Sequence, residues 1–281
     1  MMLTGKAKVA GVMGWPILHS RSPMLHGYWL REYGIDGAYL PFSVDPANLE
    51  AALRSLPALG IAGTNLTVPH KETALNICDH VDDTARHIGA VNTVVVQADG
   101  SLFGSNTDAF GFIENLKAES SWQAADGPAV ILGAGGAARA VVAALIAEGV
   151  AEIRILNRTF ERARALADAF GGICQPLDWS DVSESLRQSA LLVNTTTLGM
   201  TEQPRLDLTL DTLPATAVVN DIVYAPLETD LLRLAAARGN SIVDGLGMLL
   251  HQARPGFAAW FGHEPDVTPG LRNHILADLI A

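Results

Sequence analysis

The sequence predicts an α/β protein of two domains, the second built on a doubly wound parallel sheet. Three observations carry this. The chain has 281 residues, 49% of them hydrophobic and 17% charged, a globular composition at a length that suits about two domains. Short apolar runs, too continuous for half-exposed strands, alternate with segments of helical period through the second half. Near the middle, one such run, Ala129–Leu132, breaks at Gly133-Ala134-Gly135-Gly136-Ala137-Ala138 into an Ala-rich helix over 140–146.

In chain order, residues 9–14 read as a strand, followed by the loop Trp15-Pro16-Ile17-Leu18-His19-Ser20-Arg21-Ser22-Pro23 and a helix ending near Gly34. In an extended chain Ser20 and Ser22 project to the same side, two hydroxyls spaced for adjacent oxygens of a polar ligand. Ser22 before Pro23 is also a good N-cap pair, a role compatible with binding. Residues 39–44 read as a second strand and 46–56 as a helix. Within 60–72, period two puts Leu66 and Val68 on one side and Asn65 and Thr67 on the other, leading through Pro69 to Lys71 at a helix start. A cationic lysine is disfavoured there, and lowered basicity would suit proton transfer near neutral pH. The plainer role is an exposed Lys71 paired with Glu72 or Asp79. Residues 89–96 are β-rich, Asp99-Gly100 is a hairpin turn before 102–104, and Ser105-Asn106-Thr107-Asp108 leads into a helix for which Asp108 suits the N-cap.

The glycine run gives the second half its chemistry. In G-x-G-x-x-A, Gly133 allows the sharp turn, Gly135 lets backbone approach a pyrophosphate, and small Ala138 lets helix pack on strand, with Ala134, Gly136 and Ala137 completing a cradle at the helix N-terminus. A close-packed turn without a ligand is the competing reading. The next strand, 152–156, ends in Asn157-Arg158-Thr159, where an NAD site would place an acid on the ribose 2′-hydroxyl. The position is basic instead. Arg158, with Arg162 one helical turn on and Asn157 and Thr159 beside it, suits a 2′-phosphate, so the expected cofactor is NADP and the expected fold a Rossmann domain. The alternative is a solvated helix face in which both arginines sit with Glu161.

The strand at 190–193 ends in Asn194-Thr195-Thr196-Thr197-Leu198-Gly199, and that at 217–219 in Asn220-Asp221-Ile222-Val223-Tyr224-Ala225-Pro226; both loops leave carboxyl ends of strands, where ligands bind. A helix over 228–238 stops at Gly239-Asn240, and 241–252 makes a last strand and helix, with Gly245 as return hinge. Later helices, one starting near Pro269, pack back on the first domain. The first domain is therefore expected over 1–107, completed by 245–281, and the second over 108–244, with a cleft between them.

A net charge of −11 does not indicate a basic surface for nucleic acid or an anionic membrane, so anions must be met by local Arg and Lys. Cys78 and Cys174 are far apart and suggest neither a disulfide framework nor a metal site, which fits a reducing cytoplasm. The first residues lead into a strand rather than a signal-peptide core, and no run of 18 apolar residues follows. No Tyr is followed four residues later by Lys, and H-E-x-x-H is absent, so the Tyr/Lys dehydrogenase pair and zinc hydrolase chemistry lack their residues.

Seven motifs in order, H-S-R-S-P (19–23), N-L-T-V-P-H-K-E (65–72), G-A-V-N-T (89–93), N-T-D (106–108), G-A-G-G-A-A (133–138), N-R-T-x-x-R (157–162) and D-G-L-G-M-L (244–249), resemble the shikimate dehydrogenase family over nearly the whole chain. The resemblance implies reversible, NADP-dependent reduction of 3-dehydroshikimate to shikimate in aromatic amino-acid biosynthesis. It implies that Ser20 and Ser22 bind the substrate carboxylate side, that Thr67, Lys71, Asn92, Asp108 and Gln252 bind its hydroxyls and reacting centre, and that Tyr224 closes over the ring. Ile222 and Gly245 would contact the nicotinamide side, and Asp83 would lie near the cofactor. Lys71, hydrogen-bonded with Asp108, would donate the proton. Partners would be the small-molecule substrate, with no nucleic acid or membrane, and the enzyme a monomer or homodimer. Presence of both serines favours shikimate over quinate, which carries an extra hydroxyl on the carboxylate-bearing carbon. The alternatives are a quinate/shikimate dehydrogenase paralogue and a sensor that binds NADP and a cyclic polyol without turnover. Two departures stand out: Ser105 where the family often has Asp, and the Asn194–Gly199 variant of N-x-T-x-x-G.

Overall fold

In the computed structural model, which describes residues 3–280, the apolar run at the start forms β1 (Lys8–Gly14). It is buried from Ala10 onward because it lies between β2 (Gly37–Ser43) and β3 (Ile61–Leu66), both parallel to it. The connection from β1 to β2 is α1 (Ser22–Glu32), and α2 (Leu49–Ser55) leads to β3 after a 3-10 turn at Pro46–Asn48. The 46–56 helix is thus interrupted at its start, where Asp45 accepts from the Ala47 amide and caps the tighter turn. Two short elements escape sequence patterning, β4 (His80–Val81) and α3 (Asp83–Ile88), the latter capped by Asp82 accepting from Ala85 N at 2.6 Å. The Asp99-Gly100 turn joins the antiparallel pair β5 (Thr93–Val96) and β6 (Leu102–Ser105), with Ser101 donating to Asp99. The sheet order is β2-β1-β3-β5-β6-β4, parallel at β2, β1 and β3 and antiparallel through β5.

The second sheet is parallel throughout. It begins after α4 (Asp108–Glu119) with β7 (Ala129–Leu132), α5 (Gly136–Ala147), β8 (Ile153–Leu156), α6 (Phe160–Phe170) and β9 (Cys174–Leu177). It continues through α7 (Val182–Ser185), β10 (Leu191–Asn194), β11 (Val218–Asp221), α8 (Asp230–Ala237), β12 (Ser241–Val243) and α9 (Gly245–Gln252). The order β12-β11-β10-β7-β8-β9 is the doubly wound arrangement, with strand order reversing between β7 and β10. The sequence pattern omits β9 because Pro176 interrupts it; Pro is tolerated there because β9 is an edge strand. Every residue of β7 is buried, as are those of β10 and β11, which explains why these strands read as continuous apolar runs.

The chain divides into two units, 1–107 with 252–281 and 108–251. The return to the first unit falls at Gln252, one helix beyond the expected hinge at Gly245. The reason is packing: a Cβ at Gly245 would collide with the Ile222 carbonyl, and Asn115 Nδ2 donates to the Asp244 carbonyl at 2.7 Å, which ties the start of α9 to the second unit. Beyond it, α10 (Arg254–Phe261) lays Trp260 over Gly63 and donates its indole N–H to the Val94 carbonyl at 3.1 Å. The last helix, α11 (Pro269–Ile280), belongs to the first unit, where Arg21 of the loop before α1 pairs with Asp278 at 3.2 Å.

Candidate functional site

In the first unit Ser20, Ser22 and Asn92 of the sequence motifs join one largely buried chain of hydrogen bonds by way of Tyr39 and Asn65. Ser22 is the first residue of α1, not its cap: Arg21 holds the N-cap position in helical conformation, and Leu25 N donates to the Arg21 carbonyl at 3.0 Å. The capping role expected of Ser22 therefore fails, because the helix begins one residue earlier. Ser20 and Ser22 are adjacent by a turn rather than by extended backbone, with Ser22 N donating to Ser20 Oγ at 3.4 Å. The Ser22 hydroxyl is hydrogen-bonded to that of Tyr39, and Tyr39 donates to Asn65 Oδ1 at 2.6 Å. Burial lifts the Tyr39 phenol well above its ordinary range, so it stays a neutral donor. Asn65 Nδ2 passes the chain to the Asn92 carbonyl (3.2 Å) and Thr93 Oγ1 (3.0 Å). Asn92 Oδ1 accepts from Thr93 Oγ1 at 2.9 Å and from Thr107 N at 2.9 Å. Thr107 Oγ1 also donates to Asn92 Oδ1 at 3.2 Å, so side chains from five segments, at Ser22, Tyr39, Asn65, Asn92 and Thr107, are ordered by one another, each satisfying a donor or acceptor that burial would otherwise penalise.

The alternation read over 65–68 stops at the end of β3. Leu66 is buried in the core, but Val68 is 72% exposed, and the backbone turns through Thr67, whose carbonyl accepts from His70 N at 2.9 Å. Lys71 does not open an α-helix. Its carbonyl accepts from Val91 N at 2.8 Å, which aligns the segment with 89–92 and leaves only a 3-10 turn at Thr73–Asn76. The helix-terminus argument for Lys71 thus loses its helix. Nor is Asp79 its ready partner: that carboxylate takes two hydrogen bonds from Arg54 Nη1, at 2.7 and 2.9 Å, and one from Leu102 N at 2.8 Å. Asp83 lies exposed on the first turn of α3, Asp108 is the first residue of α4, and half-buried Gln252 ends α9.

In the second unit Gly133 follows β7 at the point where strand order reverses. Its φ is +111°, and a Cβ there would meet Thr195 Oγ1 at 2.6 Å, so both backbone conformation and the crossing with the β10 loop demand glycine. Gly135 and Gly136 differ: a Cβ on either meets nothing within 4 Å. The fold does not require glycine there, whereas close approach of a ligand does. Gly135 is the N-cap of α5 and no side chain caps it, so the first amides of that helix are left for a ligand, beside exposed Gly135 and Gly136 and half-buried Ala134 and Ala137. Ala138 is fully buried against the strand, as the fingerprint requires.

After β8, Asn157 Nδ2 donates to the Thr159 carbonyl at 2.9 Å and shapes the turn into α6. Arg158, Thr159 and Arg162 are exposed. Glu161 pairs with Arg164 at 2.5 Å, so the carboxylate proposed as a sink for Arg158 and Arg162 is engaged elsewhere. These groups fit the 2′-phosphate end of NADP, and the glycine cradle fits its pyrophosphate. Farther along, Ile222 and Gly245 meet: the Gly245 position abuts the Ile222 carbonyl, and a Cβ would also lie 2.7 Å from Val223 O. Tyr224 is half-buried in the same loop. Tyr39 and Asp221, the acid that ends β11, were not among the sequence candidates. Tyr39 carries no motif signal, but Asp221 could have been found as an acid ending a buried apolar strand.

Among the described residues no group of His, Cys, Asp and Glu could hold a metal, and no helix is long and apolar enough to cross a membrane. Residues 12–94 match the model of the shikimate dehydrogenase substrate binding domain, 116–203 that of shikimate / quinate 5-dehydrogenase, and 245–271 that of the shikimate 5′-dehydrogenase C-terminal domain. A relative from Paramagnetospirillum magneticum, named shikimate dehydrogenase (NADP(+)), is 61% identical over 98% of this chain and 100% of its own. A shikimate 5-dehydrogenase from Thermus thermophilus, solved with NADP(H) and shikimate, superposes with a TM-score of 0.85 at 40% identity, covering 96% of this chain and 99% of that one. A quinate dehydrogenase from Corynebacterium glutamicum, solved with NAD, superposes with a TM-score of 0.89 at 32% identity, covering 96% and 99%. On sequence, fold and motif order together, the chain belongs to the shikimate dehydrogenase family.

Proposed function

We infer that the chain catalyses the reversible, NADP-dependent reduction of 3-dehydroshikimate to shikimate. The observation that carries this reading is a cradle open at Gly135 and Gly136, followed after β8 by exposed Arg158 and Arg162, on a chain of this family. Gly133, Ala134, Gly135, Gly136 and Ala137 receive the pyrophosphate; Asn157, Arg158, Thr159 and Arg162 receive the 2′-phosphate; Ile222 and Gly245 flank the nicotinamide, with Asp83 near the cofactor. In the first unit Ser20 and Ser22 bind the substrate carboxylate, and Thr67, Asn92 and Gln252 its hydroxyls. Tyr224 closes over the ring.

NADPH, held by the glycine cradle and the basic turn after β8, would supply the hydride for reduction of the C3 carbonyl. Lys71 gives a proton to the oxygen that becomes the hydroxyl, and Asp108 hydrogen-bonds the same group and steers it toward Lys71. In the oxidative direction Lys71 takes that proton back while Asp108 holds the hydroxyl. The reaction suits a reducing cytoplasm, where the free thiols of Cys78 and Cys174 persist. Presence of both serines selects shikimate over quinate, because the carboxylate-bearing carbon of quinate must fit an extra hydroxyl beside them. Initial rates with shikimate and quinate, each with NADP and NAD, test this. Shikimate with NADP is expected to be the fastest pair; faster turnover of quinate, or of NAD, overturns the assignment.

A further inference from the structure

Asp221 ends β11 fully buried, and three neutral donors converge on it. Asn194 Nδ2 donates to Oδ1 at 3.0 Å, Val223 N to the same oxygen at 3.1 Å, and Thr229 Oγ1 to Oδ2 at 2.7 Å. Each donor belongs to a different segment. Asn194 organises the loop after β10: its Oδ1 accepts from Thr196 N (3.1 Å) and Thr196 Oγ1 (2.7 Å), and its Nδ2 also reaches the Leu198 carbonyl at 3.2 Å. Val223 lies in the loop after β11, whose Ile222 N donates to the Asn194 carbonyl at 3.1 Å. Thr229 caps α8, accepting from Leu232 N at 3.3 Å. A buried carboxylate without a cationic partner is destabilising, and burial pushes this one up to about 6. A site that keeps it gains something other than stability.

We propose that Asp221 is a positioning residue that locks the loops 195–200 and 222–226 in the shape that receives the nicotinamide half of the dinucleotide. The proposal rests on the reading that Ile222 and Gly245 flank that half. It also gives the N-x-T-x-x-G loop its purpose: Asn194 and Thr196 spend their polar atoms on backbone and on Asp221, so they shape the loop rather than contact ligand.

The test separates the two halves of the cofactor. Binding of NADPH and of 2′,5′-ADP, which carries the adenosine with its 2′- and 5′-phosphates but no nicotinamide half, is measured on wild type and Asp221→Ala, with hydrogen exchange on the free proteins. The variant should bind NADPH about tenfold more weakly, as expected for losing hydrogen bonds to a charged acceptor, and bind 2′,5′-ADP like wild type. Exchange should quicken at 195–200 and 222–226 and stay unchanged at 157–162. Thr229→Val keeps the carboxylate and removes one donor; should Asp221→Ala not fold, this variant gives the same selective loss at about threefold. Equal loss of both ligands, or unchanged NADPH binding with faster loops, overturns the positioning role. Wild type that binds neither NADPH nor 2′,5′-ADP overturns the proposed function and the inference with it.

Discussion

The two units build their sites by opposite means. In the second unit the cradle is backbone: Gly133, Gly135 and Gly136 are neighbours in sequence, and their contribution is the absence of side chains. In the first unit the site is side chains, with Ser22, Tyr39, Asn65, Asn92 and Thr107 drawn from five segments and satisfied by one another, Asn65 and Asn92 through the Thr93 hydroxyl. A site made of local backbone tolerates no added atoms but needs few partners. A site made of distant side chains depends on each member's hydrogen bond, and truncating one leaves another unpaired.

The largest effect should fall on the chemistry. Lys71→Ala is expected to lower kcat by about 10²- to 10⁴-fold with NADPH affinity nearly unchanged, and the double variant with Asp108→Ala should be little worse than the worse single one, because both act on one proton. Steady-state kinetics with direct NADPH titration checks this, and a Lys71→Ala enzyme that keeps most of its kcat would leave Lys71 as a binding residue only.

Next comes a pH effect confined to the second unit. Burial raises the Asp221 carboxyl from 3.8 to about 6, so the folded protein holds that proton more tightly than the unfolded chain does. Its stabilising contribution is therefore full below about pH 4 and is lost as pH rises through about 6, a change on the order of 3 kcal/mol. Urea unfolding at about pH 4.5 and 7 should show wild type losing stability relative to Asp221→Asn over that interval; parallel curves would contradict the shift.

Two glycine variants then separate fold from ligand. Gly245→Ala should destabilise by about 1 to 3 kcal/mol, since its Cβ enters the Ile222–Val223 backbone. Gly135→Ala meets no clash, because its Cβ enters open space, and should cost no more than about 0.5 to 1 kcal/mol, the difference between Gly and Ala at an N-cap, yet weaken NADPH binding. Thermal unfolding and NADPH titration of both variants decide, and the comparison of backbone-built with side-chain-built sites fails if Gly135→Ala leaves NADPH binding intact.

The smallest effect belongs to Tyr39→Phe. Its ring stacks on His26 at 3.8 Å, so packing survives and only the hydroxyl is lost. Stability should fall by about 0.5 to 1.5 kcal/mol, and KM for shikimate should rise without a change for NADP. A rise for both ligands would show that the hydrogen-bonded chain is general scaffolding.

The same contrast explains what could be read before the fold was in hand. The glycine cradle and the basic turn after β8 are contiguous, so spacing alone placed them. The sheet could be inferred from its apolar strands, save β9, where Pro176 hides an edge strand, and β4, too short to show a period. The first unit's strands and hairpin were read from pattern, but the joining of its polar segments into one site came only through resemblance. Nothing in the sequence near Tyr39 marks it as the link between Ser22 and Asn65, and the turn at Ser20–Ser22 mimics an extended pair. Lys71 misled for a similar reason: a proline followed by polar residues signals a helix start, but a tertiary hydrogen bond from Val91 to the Lys71 carbonyl takes the place of the helix.

The central claim, that the first unit holds substrate and the second holds cofactor, is tested most directly by measuring binary binding of shikimate and of NADPH to two variants, Ser22→Ala and Arg158→Ala. The account predicts a crossed result. Ser22→Ala weakens shikimate and leaves NADPH unchanged, whereas Arg158→Ala weakens NADPH by about 1.5 to 3 kcal/mol, leaves shikimate unchanged and barely alters NADH. If Arg158→Ala weakens NADH as much as NADPH, or if Ser22→Ala affects NADPH rather than shikimate, the division of roles is wrong.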